Sequence, residues 1–220
     1  MIEDRILALY ELSQDMLFHK IPAERLDYYV DNSLAAGEAA ARQFSGQDIL
    51  DLYRQHGIAV DYRTESSSSF GVILRGQAVM SEDECRVELY TDSIRALVEH
   101  SGYDGLPELD YERALRIHLS HEFFHFWEYK TGISVTEQLD SVETIRLFGL
   151  SRKAKINRCG EVAAHAFAKS LLGLPCLPNL YDYSYLIGTG RMAREAFESR
   201  IETLTEILAT RSYLHMEVKQ

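Results

Sequence analysis

Residues 116–129 read RIHLSHEFFHFWEY and contain the pattern His-Glu-x-x-His at residues 121–125. An α-helix turns by about 100° per residue, so His121 and His125 lie one turn apart on one face and both imidazoles can reach one metal ion. Glu122 lies beside them, near enough to act on water at that metal. The spacing therefore predicts a helix with two zinc ligands, His121 and His125, and a general base, Glu122.

Apolar side chains occupy almost every side of this predicted helix. They are Leu115, Ile117, Leu119, Phe123, Phe124, Phe126 and Trp127. A helix that is apolar all round is expected to be buried. Two histidines and a glutamate are costly to bury without a partner, and a metal ion would supply one.

A third ligand is expected from the segment CGEVAAHAFAKSLL, residues 159–172, whose composition favours a helix. Glu161 shares its face of this helix with small and apolar residues, which are Ala164, Ala168 and Leu172, and with His165. Small neighbours allow a second helix to approach closely, and a carboxylate on such a face needs compensation. We predict Glu161 as the third ligand of a His-His-Glu zinc site that keeps its fourth position open.

These two segments, HEFFH at 121–125 and EVAAHAFAKSLLGLP at 161–175, resemble the ImmA/IrrE-type gluzincin metallopeptidases. In that family H-E-x-x-H precedes a helix that reads approximately E-x-x-A-N-x-F-A-x-x-L-L-x-P. A looser similarity extends over about residues 23–178. The resemblance implies a zincin-like zinc metallopeptidase that hydrolyses peptide bonds and holds one zinc ion per chain. It also implies peptide or protein substrates, such as DNA-binding repressor proteins.

The residue-by-residue match implies His121, His125 and Glu161 as zinc ligands and Glu122 as the catalytic base. His165 occupies the position at which the family has Asn. We assign it the second catalytic role, which is to stabilise the oxyanion. Orienting a ligand is an alternative role for His165, because it lies one turn from Glu161.

Other residues near the two motifs receive weaker expectations. Tyr183 and Tyr185 are further oxyanion candidates, although tyrosines at such positions are more often packing residues. His118 is expected to be structural or to support a ligand, since it lies a full turn before His121. Glu128 and Tyr129 are assigned no role, and Glu128 is expected to lie in solvent because a glutamate at the end of a helix is usually solvated. The bulky Phe123 and Phe124 replace the small residue that the family more often has inside its motif.

The order of patterns predicts a mainly helical α+β fold with a small antiparallel sheet, because helices, strands and helices are segregated along the chain. Residues 1–220 are expected to form a single metallopeptidase-like domain, with a core at 23–178, an N-terminal helix and a C-terminal helical extension. Helices are expected at residues 3–18, 23–44, 47–56, 92–100, 111–130, 152–173 and 190–210. Strands are expected at residues 58–62, 70–74, 78–80 and 85–90.

The edge of this sheet is expected to receive an extended substrate peptide above the metal, by strand addition. The two candidate edges are the segments Phe70 to Leu74 and Cys85 to Tyr90.

The composition excludes several classes of partner. The formal charge is −11, from 23 Lys and Arg against 34 Asp and Glu, so direct binding of nucleic acid has no electrostatic basis. No apolar run approaches the roughly 20 residues that span a bilayer, and no signal-peptide pattern is present, so no membrane association and a cytoplasmic location are expected. Cys85, Cys159 and Cys176 are expected to be free or buried thiols.

Two other classes of function use the same residues. A non-haem iron enzyme also binds its metal through two histidines and one carboxylate, although its chemistry does not require Glu122. A non-catalytic sensor or protein-binding module would use zinc only to hold two helices together. In such a closed site His165 would be the fourth ligand.

Overall fold

The computed structural model describes residues 1–64, 68–69, 72–81, 84–147 and 150–217, and these residues form nine α-helices, two short 3₁₀ helices and seven short strands. The helices are α1 (Asp4–Leu12), α2 (Leu26–Arg42), α3 (Ile49–His56), α4 (Thr91–His100), α5 (Tyr111–Thr131), α6 (Val135–Gln138), α7 (Arg158–Leu172), α8 (Asn179–Gly188) and α9 (Arg194–Glu217). The strands are β1 (Ala59–Arg63), β2 (Ser68–Ser69), β3 (Val72–Ile73), β4 (Gly76–Met80), β5 (Cys85–Tyr90), β6 (Val142–Leu147) and β7 (Leu150–Ala154). The mainly helical α+β prediction is confirmed.

The three-stranded sheet has the order β1-β5-β4 and is mixed, so the prediction of an antiparallel sheet is wrong. Val87 of β5 lies opposite Val60 of the parallel strand β1 and opposite Ala78 of the antiparallel strand β4. Residues 64–84 separate β1 from β5, which is long enough for the crossover that a parallel pair requires. As a result β5 is the central strand and β4 lies at one end of the sheet.

Five of the described α-helices and strands are not among the predicted ones, namely β2, α6, β6, β7 and α8. The antiparallel pair β6 and β7 occupies part of the region in which the sequence predicts a helix from residue 152, and α7 begins only at Arg158. Burial alternates along β6, since Val142 is buried while Glu143 and Ile145 are exposed. Helix α8 has a tyrosine-rich sequence of modest helix propensity, but it buries Tyr183 and Tyr185.

The other predicted helices are present with shifted ends. The first, expected at 3–18, ends at Leu12, and α2 begins at Leu26 after a 3₁₀ turn at Ala23–Arg25. The Asp110 carboxylate accepts a hydrogen bond from the amide of Arg113 at 2.7 Å and so caps the start of α5. Gly132, with φ at +66°, ends α5 in the left-handed conformation that suits glycine. These signals fix the helix that carries the His-Glu-x-x-His pattern.

An aromatic cluster forms the centre of the core. Phe123 of α5 packs edge-on against Phe44, with ring centroids 5.2 Å apart, and Phe124 and Phe123 both contact Phe167 of α7. Phe123 and Phe124 are buried, so the bulky pair inside the motif serves packing. Within the described residues, every helix is too short or too polar to cross a bilayer.

The most extensive contact between helices joins α2 to α7, and it depends on a glycine. A Cβ atom built on Gly37 of α2 would lie 2.1 Å from the carbonyl oxygen of Ala163 and 2.9 Å from the Cβ of Ala166. Both alanines belong to α7, two and five residues after Glu161. The absence of a side chain at position 37 therefore fixes how closely α7 approaches α2.

Replacing Gly37 by Ala is expected to lower the free energy of unfolding by about 1–2 kcal/mol. Overpacking against a backbone carbonyl typically costs about 1–3 kcal/mol, and here it outweighs the gain of about 1 kcal/mol in helix propensity. Urea denaturation followed by circular dichroism measures the change. Glu38→Ala, on the exposed face of α2, is the matched control, with an expected change within about 0.5 kcal/mol. A Gly37→Ala protein as stable as this control would contradict the packing argument.

Candidate metal centre

His121 and His125 of α5 and Glu161 of α7 meet in one cluster, in which one ligand atom of each lies within 4.8 Å of the others. The two imidazole Nε2 atoms are 3.2 Å apart. Glu161 Oε2 lies 3.3 Å from His121 Nε2, and Glu161 Oε1 lies 3.8 Å from His125 Nε2. The structure thus brings together the three residues that the sequence predicted as ligands.

These distances fit a zinc ion. Ligands bonded at about 2.0–2.1 Å to a tetrahedral ion lie about 3.3–3.4 Å from one another, by the geometry of a tetrahedron. The Nε2–Nε2 separation of 3.2 Å and the 3.3 Å from His121 Nε2 to Glu161 Oε2 lie close to that value, whereas the 3.8 Å from His125 Nε2 is longer and is to the other oxygen of Glu161. The donor set of two nitrogens and one carboxylate oxygen is also one that zinc accepts in proteins.

The charges of the cluster are coupled. Burial lowers the pKa of His121, but the hydrogen bond with Glu161 and the carboxylates of Glu161 and Glu122 outweigh it and raise the pKa above its usual value. Burial raises the pKa of Glu161, but His121 and His125 together hold that pKa well below its usual range. Glu161 is therefore ionised and the cluster attracts positive charge, which a proton or a cation can supply.

Glu161 is held in place by the N-terminal part of the chain. The carboxylate of Asp15 accepts a hydrogen bond at 3.1 Å from the amide of Arg158, the first residue of α7. The guanidinium of Arg158 donates to Glu11 of α1 at 2.8 Å. Glu161 itself lies in the first turn of α7, where the helix dipole favours a carboxylate.

A cavity of about 800 Å³ opens beside the three ligands. Its lining comes from α1, the β4 strand with the residues before it, α5, α7, α8 and the residues that follow α8. The lining residues are Tyr10, Glu11, Gln14, Ile73, Leu74, Arg75, Gly76, Gln77, Ala78, His118, His121, Glu122, His125, Arg158, Glu161, His165, Asn179, Asp182, Tyr183, Leu186 and Met192. Charges on the cavity wall are paired, Arg75 with Asp182 and Arg158 with Glu11.

Glu122 lies on the cavity wall and is 9% exposed. Strand β4 crosses directly over it, because a Cβ atom built on Gly76 would lie 3.1 Å from Glu122 Oε1. The predicted base is thus next to both the ligand cluster and the end strand of the sheet.

His165 also lines the cavity, and its ring centroid lies 4.7 Å from that of His121. Among the described residues, however, the cluster of mutually close ligand atoms consists of His121, His125 and Glu161 without it. Burial, and then the charge of His121, lower the pKa of His165 well below its usual value, so the imidazole is neutral. Its Nδ1 atom is buried without a hydrogen-bond partner.

The remaining candidates separate into two groups. His118 and Tyr183 line the cavity, and burial followed by the charge of Arg75 lowers the pKa of His118. Tyr185 packs instead against His100 and beneath the guanidinium of Arg75.

Cys159 is a buried thiol, as expected, and its burial raises its pKa to about 11.

The prediction that Glu128 lies in solvent is wrong. Its side chain is 14% exposed, and its Oε2 lies 3.4 Å from His125 Nδ1. The available signal was spacing, because residues three apart on a helix are neighbours. The burial of Glu128 depends on helix α6, and the motif does not predict that helix.

Comparisons of the chain with protein-family models, with curated proteins and with solved structures found no match. Function is therefore inferred from the geometry of this cavity and from the motif resemblance.

Replacing Glu161 by Ala is expected to reduce bound zinc from one ion per chain to well below one. Loss of one of three protein ligands leaves two imidazoles, which hold zinc weakly. Elemental mass spectrometry on protein purified without chelator measures the occupancy, with Glu137→Ala as control because that side chain is 72% exposed. Full occupancy in the Glu161→Ala protein would mean that the third ligand is misassigned.

Proposed function

We propose that this protein is a zinc-dependent metallopeptidase that hydrolyses peptide bonds with Glu122 as general base. The observation that carries the proposal is the three-ligand cluster of His121, His125 and Glu161, at zinc spacing, on the wall of a cavity that Glu122 also lines. Three protein ligands beside an open cavity are typical of catalytic zinc sites, whereas structural sites use four.

A bound zinc ion would supply Lewis-acid chemistry, polarising a carbonyl group and lowering the pKa of water to about 7. Glu122 would take the proton of the attacking water and pass it to the leaving amine as the peptide bond breaks. Its position suits this task because it lines the cavity next to His121 and is largely shielded from bulk water. His165, which lines the same cavity, is proposed to stabilise the negative charge that develops on the carbonyl oxygen.

The substrate is proposed to be an extended peptide that pairs with β4. Within the described part of the chain this strand has β5 on one side only, and its residues Gly76, Gln77 and Ala78 line the cavity. The expectation that Cys85 to Tyr90 forms an edge is wrong, because β5 lies between β1 and β4. The other expected edge included Phe70, which lies outside the described residues, but Ile73 and Leu74 line the cavity.

The motif resemblance extends the proposal to regulatory proteins, such as DNA-binding repressors, as substrates. A peptide strand bound to β4 would place its backbone next to Glu122, because Gly76 and Glu122 are in contact. Main-chain pairing of this kind accepts many sequences, so side-chain preferences would come from the cavity wall of α1 and α8.

Replacing Glu122 by Gln is expected to keep zinc occupancy and fold but to slow peptide cleavage by at least about 10²-fold, because the amide cannot accept the proton of water. Cleavage of a degenerate peptide library by zinc-loaded protein, followed by mass spectrometry, measures this. Glu112→Gln is the control on the same helix, since that side chain is 65% exposed. Equal cleavage by the Glu122→Gln and wild-type proteins would remove Glu122 from the mechanism.

The alternative function is a non-catalytic sensor or protein-binding module, in which His165 would close the zinc site as the fourth ligand. Replacing His165 by Asn tests this directly. The peptidase proposal predicts unchanged zinc occupancy, because His165 stands outside the three-ligand cluster, and slower cleavage. A loss of zinc from the His165→Asn protein, measured against wild type by elemental analysis, would favour the closed structural site.

A further inference from the structure

Glu128 lies near the end of α5, less than one turn after His125, and most of its side chain is buried. Carboxylates are unfavourable near the C-terminal end of a helix and are seldom buried without a partner. Here both oxygens have partners. Oε2 lies 3.4 Å from His125 Nδ1, and Oε1 accepts a hydrogen bond at 2.7 Å from the amide of Val135.

The opposite nitrogen of the His125 ring belongs to the ligand cluster. His125 Nε2 lies 3.2 Å from His121 Nε2 and 3.8 Å from Glu161 Oε1. A neutral imidazole carries its proton on one nitrogen and offers a lone pair on the other. An ionised carboxylate can only accept, so Glu128 favours the tautomer with the proton on Nδ1 and the lone pair on Nε2.

Two further elements lie around the Glu128 carboxylate. The amide of Val135 is the first of the short helix α6, so the turn after α5 fixes one oxygen. Gly160 of α7 also lies near it, because an added Cβ atom there would be 3.9 Å from Glu128 Oε2, an ordinary van der Waals distance, and 3.3 Å from Thr136 Oγ1, a tight one.

We propose that Glu128 is a positioning residue for the metal, which acts by fixing the Nδ1-protonated tautomer and the orientation of His125. The inference rests on the proposed function only in taking the cluster to bind zinc. Carboxylates that accept from the distal nitrogen of a metal-binding histidine typically contribute 10- to 100-fold to metal affinity.

The first test is the zinc affinity of Glu128→Gln, measured in the full chain by competition with a chromophoric chelator. Glutamine can keep its oxygen on the Val135 amide while its NH₂ group faces His125 Nδ1, which favours the wrong tautomer at nearly constant shape. Zinc affinity is expected to fall 10- to 100-fold. The control Glu137→Gln, on the exposed face of α6, is expected to bind zinc as the wild type does.

The second test reads the tautomer itself in metal-free protein labelled with ¹⁵N in its histidine rings, by NMR in alkaline buffer. The His125 signals of the wild type are expected to report a protonated Nδ1, and those of Glu128→Gln a shift towards protonated Nε2. Wild-type protein with the proton on Nε2, or unchanged zinc affinity in Glu128→Gln, would overturn the proposal. The tautomer requires neither zinc nor cleavage, so this result is separate from the fate of the peptidase proposal.

Discussion

Four ionisable side chains at the edge of an aromatic core constrain this structure more than any other feature. Three of them line the cavity from α5, namely His121, Glu122 and His125. The fourth is Glu161 of α7, whose Oε2 lies 3.3 Å from His121 Nε2. Grouping two carboxylates with two imidazoles in a partly buried site calls for compensating positive charge, which a proton or a cation can supply. Zinc would meet that requirement with the spacing observed, and it would link the two helices that carry the ligands.

The rest of the fold positions α7 relative to α5. Gly37 permits α2 to contact the backbone of α7, the aromatic cluster fills the space between α5 and α7, and Asp15 caps the first turn of α7. Helix α1 adds to this support, because its residue Glu11 accepts a hydrogen bond from the guanidinium of Arg158. Through Tyr10 and Glu11 the same helix also lines the cavity, so it contributes to both stability and the shape of the candidate site.

The sequence predicted the features that depend on local periodicity. His121 and His125 could be placed together because a helix returns to the same face after four residues, and Glu161 because its helix has a small-residue face. Features that depend on distant partners could not be predicted. The parallel pairing of β1 with β5 and the burial of Glu128 each need contacts between segments whose separation in the sequence carries no periodic signal.

The most direct test of the central claim is anomalous diffraction at the zinc absorption edge from crystals grown with zinc. The account predicts a single strong anomalous peak at bonding distance from His121 Nε2, His125 Nε2 and a Glu161 carboxylate oxygen, with the fourth position facing the cavity beside Glu122. A peak with four protein ligands, or no peak between these three side chains, would contradict the proposed catalytic zinc centre.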